Sequence, residues 1–330
     1  MDKLTALIVG ITGQDGSYLA KLLLSKGYKV FGSTRDSSIC DTSNLSKLKI
    51  LDYVNIISLA PNDFRSVIKA INSTNPDEVY YLAGLTSVGL SFEQPVECME
   101  SISLGTLNFL EAIKLNQKKI KFFNAGSSEC FGNTNKIIAN EKTVFSPRSP
   151  YATAKATAFW IVSNYRESYN LFCCTGILGN HESPLRNKRF VTKKIVSGVW
   201  DIVCKNSKEL RLGNLDTWRD WGWAPEYVEA MYLIMHSPEP EDYIIATGVT
   251  NSLKDFVSMA FKKFNLDESK FVICDEKLLR PSDIKYSYLD PSKIYNNLNW
   301  RSEKNLEKII DSMFEEFINQ GLDGGDSIAP

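Results

Sequence analysis

The stretch LTALIVGITGQDGSYLAKLLLSKGY, residues 4–28, admits few folds. An apolar run ends in glycines at 10, 13 and 16 and passes directly into an amphipathic pattern: a strand, a tight turn and the start of a helix. In that setting Gly10 permits the turn, Gly13 lets a pyrophosphate approach the backbone, and Gly16 lets the helix pack close to the sheet. The helix start adds unpaired N–H groups and the positive end of its dipole. Thr12, Gln14 and Asp15 lie inside the turn and join Gly10, Gly13 and Gly16 as candidate dinucleotide contacts.

The alternation then continues. Lys29–Ser33, Val54–Ser58 and PDEVYYLAG read as the second, third and fourth strands, with NDFRSVIKAIN as a surface helix before the fourth. Pro95–Leu115 reads as one long helix, IKFFNAG as a fifth strand, Pro150–Tyr169 as a helix and LFCCTGILGN as a sixth strand. Strands alternating with helices specify an α/β fold, a doubly wound parallel Rossmann sheet covered on both faces. Ligands bind such sheets outside the carboxyl ends of the strands. That draws in Leu82 and Ala83, beside the dinucleotide, and Thr86, beside a sugar hydroxyl.

At 330 residues the chain exceeds what one core serves, so two lobes are expected. The dinucleotide-binding domain spans 1–180, and a smaller C-terminal α/β substrate lobe occupies mainly 181–330. Roughly 213–250 returns to the first, because a helix near Pro225 and the strand EDYIIATG suit the large sheet. Leu253–Phe264 reads as a helix and GLDGGDSIAP as a frayed tail. The three Trp residues of DTWRDWGWAP are expected to pack between the lobes.

Where the second strand ends, the residue type reports on the ribose of the cofactor. Thr34 followed by Arg35 suits a 2′-phosphate and favours NADP, while Asp36 keeps NAD open. Composition narrows the remaining classes. A charged fraction of 23% and a net charge of −1 provide no basic footprint for nucleic acid. No apolar run approaches a membrane span, and the segment before Leu7 is too short and polar for a signal peptide, so a cytoplasmic protein is expected. Seven scattered cysteines without metal-like spacing suggest free thiols, and two histidines offer little to a metal centre; no metal is expected, and each histidine reads as structural.

Chemistry concentrates in SPYATAK, residues 149–155, which sets Tyr151 and Lys155 four apart on one helical face. A phenol of pKa about 10 is a poor base at neutral pH, yet an ammonium about 4 Å away is worth roughly 4 kcal/mol at an effective dielectric near 20, enough to bring it towards neutrality. The fifth strand ends in Ser127, Ser128 and Glu129, which offer a hydroxyl donor and a proton-transfer group. Beyond the sixth strand, Arg186, Lys188, Arg189, Lys193 and Lys194 gather, joined by Arg211, Arg219 and Arg280, a set of cations suited to a diphosphate.

GITGQDGSYLAKLLLSKGY, SFEQP, SPYATAK, NYRESYNLF, NHESP, RFVTKKI, LGNLDTWRDWG and EDYIIATG together resemble the GDP-mannose 4,6-dehydratases of the extended short-chain dehydrogenase/reductase superfamily, from about Ala6 to Trp300. The resemblance implies a lyase that holds NADP tightly and makes GDP-4-keto-6-deoxy-mannose. It implies Tyr151 as base at the 4-hydroxyl, Lys155 as its partner on the nicotinamide ribose, Ser127 as hydroxyl donor and Glu129 as acid/base at C5 and C6. It further implies Asn180, Val191, Lys194, Arg219 and Arg280 as nucleotide contacts, and a homotetramer, or a homodimer, with cofactor loops meeting around Arg35–Thr42.

Departures from the family pattern fall at GSSECFG, with Ser127 for Thr and Phe131 for Tyr; at AGLTSV, with Leu85 and Ser87 for Gln and His; and at SLAPN, which lacks the usual acidic contact to adenine. The alternatives are an epimerase or reductase on the same fold, which needs no carboxylate at 129, a dehydratase of another GDP-sugar such as a GDP-heptose, and a non-catalytic NADP-binding protein.

Overall fold

The computed structural model describes residues 3–135 and 137–323. In chain order the strands are β1 (Thr5–Val9), β2 (Lys29–Thr34), β3 (Asn55–Ser58), β4 (Glu78–Tyr81), β5 (Lys121–Ala125), β6 (Cys173–Leu178), β7 (Asn180–Glu182), β8 (Leu210–Leu212), β9 (Trp218–Trp223), β10 (Tyr243–Ile245), β11 (Thr250–Ser252) and β12 (Val272–Cys274). Seven of them form one parallel sheet in the order β10-β6-β5-β4-β1-β2-β3. The doubly wound fold expected from the alternation is therefore present.

Both faces of that sheet are dry, and the period of two along each strand divides the residues between them. Ala6, Ile8, Tyr80, Phe123 and Cys174 point into one core, capped by helices Gln14–Ser25 and Ala224–Met235. Leu7, Val9, Val79, Tyr81, Phe122 and Cys173 point into the other, where helices Phe64–Thr74, Gly105–Leu115 and Pro150–Tyr169 contribute. The helix boundaries have local causes. Ser149 caps Pro150–Tyr169 by accepting from the Ala152 amide at 3.1 Å, Pro150 opens it, and Asn170 closes it in the left-handed region at φ 53°.

The long helix expected over Pro95–Leu115 is interrupted. Helix Pro95–Met99 passes into a π-turn over Glu100–Leu104 before Gly105–Leu115 resumes. The Tyr81 hydroxyl donates to the Ser101 carbonyl at 2.6 Å and so takes an acceptor from the helical ladder. Gly105 accommodates the same ring, since a Cβ there would meet the phenol oxygen at 1.9 Å.

A third core lies among helices Val191–Val203, Leu253–Lys262 and Leu306–Asp323 in the smaller lobe. Beside it are a three-stranded sheet, β11-β9-β7, and the pair β12-β8. Trp221 and Trp223 pack within this core, Trp221 also lines the cleft between the lobes, and Trp218 faces Tyr286. β10 leaves this lobe and pairs with β6 of the large sheet. Asp220 on β9 ties the two lobes by accepting from the amides of Thr247 at 2.9 Å and Gly248 at 2.7 Å, and burial pushes its carboxyl up to about 6.

Helix Leu306–Asp323 takes in the first three residues of the tail expected from Gly321, and the rest of that stretch, 324–330, lies outside the described residues. No helix among the described residues is long and apolar enough to cross a membrane.

Candidate active site

A cleft of about 1280 Å³ runs over the carboxyl ends of the large sheet and is closed on its far side by the smaller lobe. Its floor is the glycine turn. Gly10 sits at φ +91°, strained for any residue with a Cβ, and a Cβ on Gly16 would lie 2.3 Å from the Gly10 carbonyl oxygen. A Cβ on Gly13 would meet nothing nearer than 3.4 Å, so this backbone faces open space. No side chain caps the helix that starts at Gln14. The turn is thus shaped to receive a polyanion against bare backbone.

Gln14 and Asp15 are held from the other side of the cleft. Asp15 Oδ2 lies 2.9 Å from His181 Nε2, whose Nδ1 lies 2.8 Å from the Gly179 carbonyl. Gln14 donates to the His181 carbonyl at 3.2 Å and accepts from Ser183 at 2.8 Å. The nearby imidazole holds the Asp15 carboxyl below the usual carboxylate range even though burial opposes this, and the carboxylate in turn raises His181 against the same penalty.

Ser127, Glu129, Tyr151 and Lys155 all face this cleft. Ser127 follows β5 in extended backbone, and its hydroxyl accepts from the Glu129 amide at 3.3 Å. Burial raises the Tyr151 phenol above its ordinary value, and a hydrogen bond with Ser127 pulls it down in part. Lys155 is also buried, which brings its ammonium down to about 8.

The expected ammonium effect on the phenol is absent in this state. Lys155 Nζ donates to the Ala125 carbonyl at 2.6 Å and stands 5.8 Å from the centre of the Tyr151 ring. The shared helical face is as expected from the spacing, but the side chain turns to a strand carbonyl that the spacing did not reveal.

On the far wall, Arg219 Nε lies 3.7 Å from Glu129 Oε1, and its Nη2 lies 3.4 Å from Asp283 Oδ1. Arg280 reaches the same Asp283 oxygen at 3.4 Å. Carboxylate and guanidinium therefore alternate from Glu129 to Arg280. Arg186 adds a cation: it pairs with Glu182 at 3.3 Å, stacks on Phe190 and acts on the charge of Tyr151 and Asp15.

Gly10, Thr12, Gly13, Gln14, Asp15, Gly16, Leu82, Thr86, Asn180, Val191, Lys194, Arg219 and Arg280 also line the cleft. Ala83 lies beneath Gly10, with its Cα 3.1 Å from where a Cβ would stand, and packs into the core. Arg35 is exposed beyond the lining, ion-paired with Glu97. Arg211 pairs with Glu209 and Asp275 outside the cleft, so it does not join the basic set. His236 sits by Tyr28 and Glu78 at the amino ends of the strands, away from the site.

His181 and Asp283 were not among the candidate residues drawn from the sequence, and Arg186 was drawn only as one of the cations suited to a diphosphate. His181 stands within NHESP, a stretch that could have pointed to it. Asp283 joins the site through Arg219, 64 residues away, as well as through nearby Arg280.

The family described as GDP-mannose 4,6 dehydratase matches residues 7–313. A GDP-mannose 4,6 dehydratase of Drosophila melanogaster is 39% identical, over 94% of this chain and 85% of its own length. Among solved structures, the UDP-glucose 4-epimerase of Thermotoga maritima with UDP-glucose superposes with a TM-score of 0.85 at 21% identity, covering 96% of this chain and 99% of that one. A dTDP-glucose 4,6-dehydratase of Bacillus anthracis in complex with NAD gives 0.83 at 17% identity, over 97% and 98%. At these identities the two structures show the shared fold. The family match and the relative show more: this chain belongs to the GDP-mannose 4,6-dehydratase family, whose members are lyases.

Proposed function

We propose that the protein removes water from GDP-mannose to give GDP-4-keto-6-deoxy-mannose, with NADP as its resident cofactor. The observation that carries this reading is Glu129, a carboxylate facing the same cleft as Ser127 and Tyr151 and 3.7 Å from Arg219. An epimerase has no use for an acid/base at that position.

The glycine turn, from Gly10 to Gly16 with Thr12, Gln14 and Asp15, would hold the cofactor's diphosphate, with Leu82 and Ala83 flanking it. NADP bound there would supply the acceptor for a hydride from C4 of the sugar and the donor of the same hydride to C6, so that water would be lost with no net redox change. Tyr151 accepts the proton of the 4-hydroxyl, to which Ser127 donates a hydrogen bond. Lys155, turned from the Ala125 carbonyl, holds the nicotinamide ribose and supplies the positive charge that the raised phenol needs. A ketone at C4 acidifies the proton on C5. Glu129 removes that proton and delivers one to the departing 6-hydroxyl; a proton from solvent restores C5 once C6 has been reduced, and Tyr151 releases to solvent the one it took.

Thr86 serves a sugar hydroxyl, while Asn180, Val191, Lys194, Arg219 and Arg280 receive the guanosine diphosphate. NADP over NAD is favoured by neutral Thr34 and by Arg35 at the end of β2, where a 2′-phosphate would compete with Glu97 for the guanidinium. A homotetramer follows the family resemblance, and a cytoplasmic setting suits seven scattered cysteines without metal-like spacing.

Incubation with a panel of nucleotide sugars tests the reading. GDP-mannose should yield a 4-keto product without consumption of free NADP, and deuterium at C4 should reappear at C6. Faster turnover of a CDP- or dTDP-sugar would overturn the guanosine assignment, and stoichiometric consumption of NADP would overturn the dehydratase.

A further inference from the structure

Helix Leu306–Asp323 places one carboxylate between two ammonium groups from different parts of the molecule. Glu316 Oε1 lies 2.6 Å from Lys47 Nζ, and Glu316 Oε2 lies 2.7 Å from Lys193 Nζ. These two partners stand 269 and 123 residues away in sequence. All three line the cleft.

Both feet of this bridge are tied to the glycine turn. Lys47 ends the short helix Ser43–Lys47, from which Asn44 Nδ2 donates to the Thr12 carbonyl at 3.0 Å. Lys193 donates to the Pro184 carbonyl at 2.9 Å, next to Ser183, which donates to Gln14. The contacts close a ring over the turn, with Glu316 as its last link. Two neighbouring cations and two hydrogen bonds hold the Glu316 carboxyl below its ordinary range, although burial opposes this.

An exposed ion pair would add little, since water screens it. Here Lys193 is 4% exposed, so removing the carboxylate leaves a buried ammonium with the Pro184 carbonyl and the Phe317 ring but no counter-charge.

We infer that Glu316 is a positioning residue that clasps the two lobes over the resident dinucleotide and retains it between turnovers. The inference rests on the proposed cofactor site. A reaction that lends a hydride and takes it back needs the carrier to remain in place for the whole cycle, so retention is a requirement of this chemistry that a dehydrogenase exchanging its cofactor does not share.

The test is the release rate of NADPH from the full chain, followed by its fluorescence after a chase with excess NADP and without sugar. Glu316→Gln should release about tenfold faster, with association changed by less than about twofold. Lys47→Met, at an exposed position that leaves the buried pair intact, should release a few-fold faster. Raising ionic strength should speed release from the unmutated protein and leave Glu316→Gln nearly unchanged. Unaltered release in both variants would overturn the clasp. Failure of the unmutated protein to bind NADPH at all would instead overturn the proposed cofactor, and the clasp with it.

Discussion

On the large-sheet wall of the cleft, Ser127, Tyr151 and Lys155 sit in one neighbourhood, fixed by backbone: the Ala125 carbonyl takes Lys155, and the capped start of Pro150–Tyr169 presents Tyr151. On the facing wall, Arg219, Arg280 and Lys193 are held by carboxylates from separate elements, Asp283 and Glu316. Ser127 and Tyr151 are placed by a strand end and a capped helix, so only the Lys155 ammonium must change partner when a ligand binds, whereas the partly exposed Arg280 leaves Asp283 for another anion at small cost. The first wall is therefore preorganised for chemistry and the second for exchange, with Glu129 and Arg219 touching at the seam. Substitutions on the first wall should act on kcat, and those on the second on KM.

The largest effect should come from the seam and the first wall. Glu129→Gln should stop elimination, with reduced cofactor accumulating at 340 nm. Tyr151→Phe should lower turnover by ~10²-fold or more without that absorbance, since its loss falls at the earlier step. Normal dehydration by either variant would break the assignment of chemistry to this wall.

Gly16→Ala tests the floor. Its Cβ would meet the Gly10 carbonyl oxygen at 2.3 Å and the Ile11 Cα at 2.7 Å, both of them backbone atoms. Overpacking of this kind should cost about 1–3 kcal/mol, read as a lower urea midpoint, and should weaken NADP binding as well. An unchanged midpoint would show that the floor yields.

Arg280→Gln, on the exchangeable wall, should raise KM for GDP-mannose about tenfold with kcat within about threefold, because Arg219 remains. A matching fall in kcat would place Arg280 with the chemistry and blur the distinction.

The smallest effect is one of pH. Lys155 loses its proton near 8 in the folded, ligand-free protein, so NADP affinity should fall about fourfold between pH 7 and pH 8.5 by titration of this one group. Since folding lowers the proton affinity of this amine, its contribution to stability is least below pH 8 and improves as pH rises from about 8 towards the ordinary lysine value of 10.5. Lys155→Met should flatten both slopes, as measured by cofactor titration and by urea unfolding across that range.

The first wall was legible in the sequence because its determinants are local. GITGQDG names its own turn, and Ser149, Pro150 and Asn170 mark a helix whose ends agree with the pattern. The dehydratase family was legible through motifs spread along the chain. What was not legible depends on partners far apart. The break in Pro95–Leu115 is caused by a phenol 20 residues before Ser101, Lys155 turns to a carbonyl on β5, and Arg35 is taken by Glu97. The basic set on the far wall reads alike in sequence, yet Arg211 leaves for Glu209 and Asp275 while Arg219 stays. Only the tertiary fold separates them.

The late strand β10 bears on how the molecule is made. β6 ends at Leu178, and the strand that covers its outer edge begins about 65 residues later, at Tyr243, where Asp242 is gripped by Arg166 at 2.9 Å. At roughly 5–20 residues per second, a ribosome needs about 3–13 seconds to deliver it. Throughout that interval the nascent sheet carries an unpaired edge, and for most of it helix Gln14–Ser25 lacks its packing partner Ala224–Met235. The glycine turn is complete among the first residues to emerge, yet the platform beneath it closes only when the smaller lobe is already half synthesised. Slower elongation lengthens the exposure of that edge, and a message truncated between those two strands yields a chain with nothing to cover it.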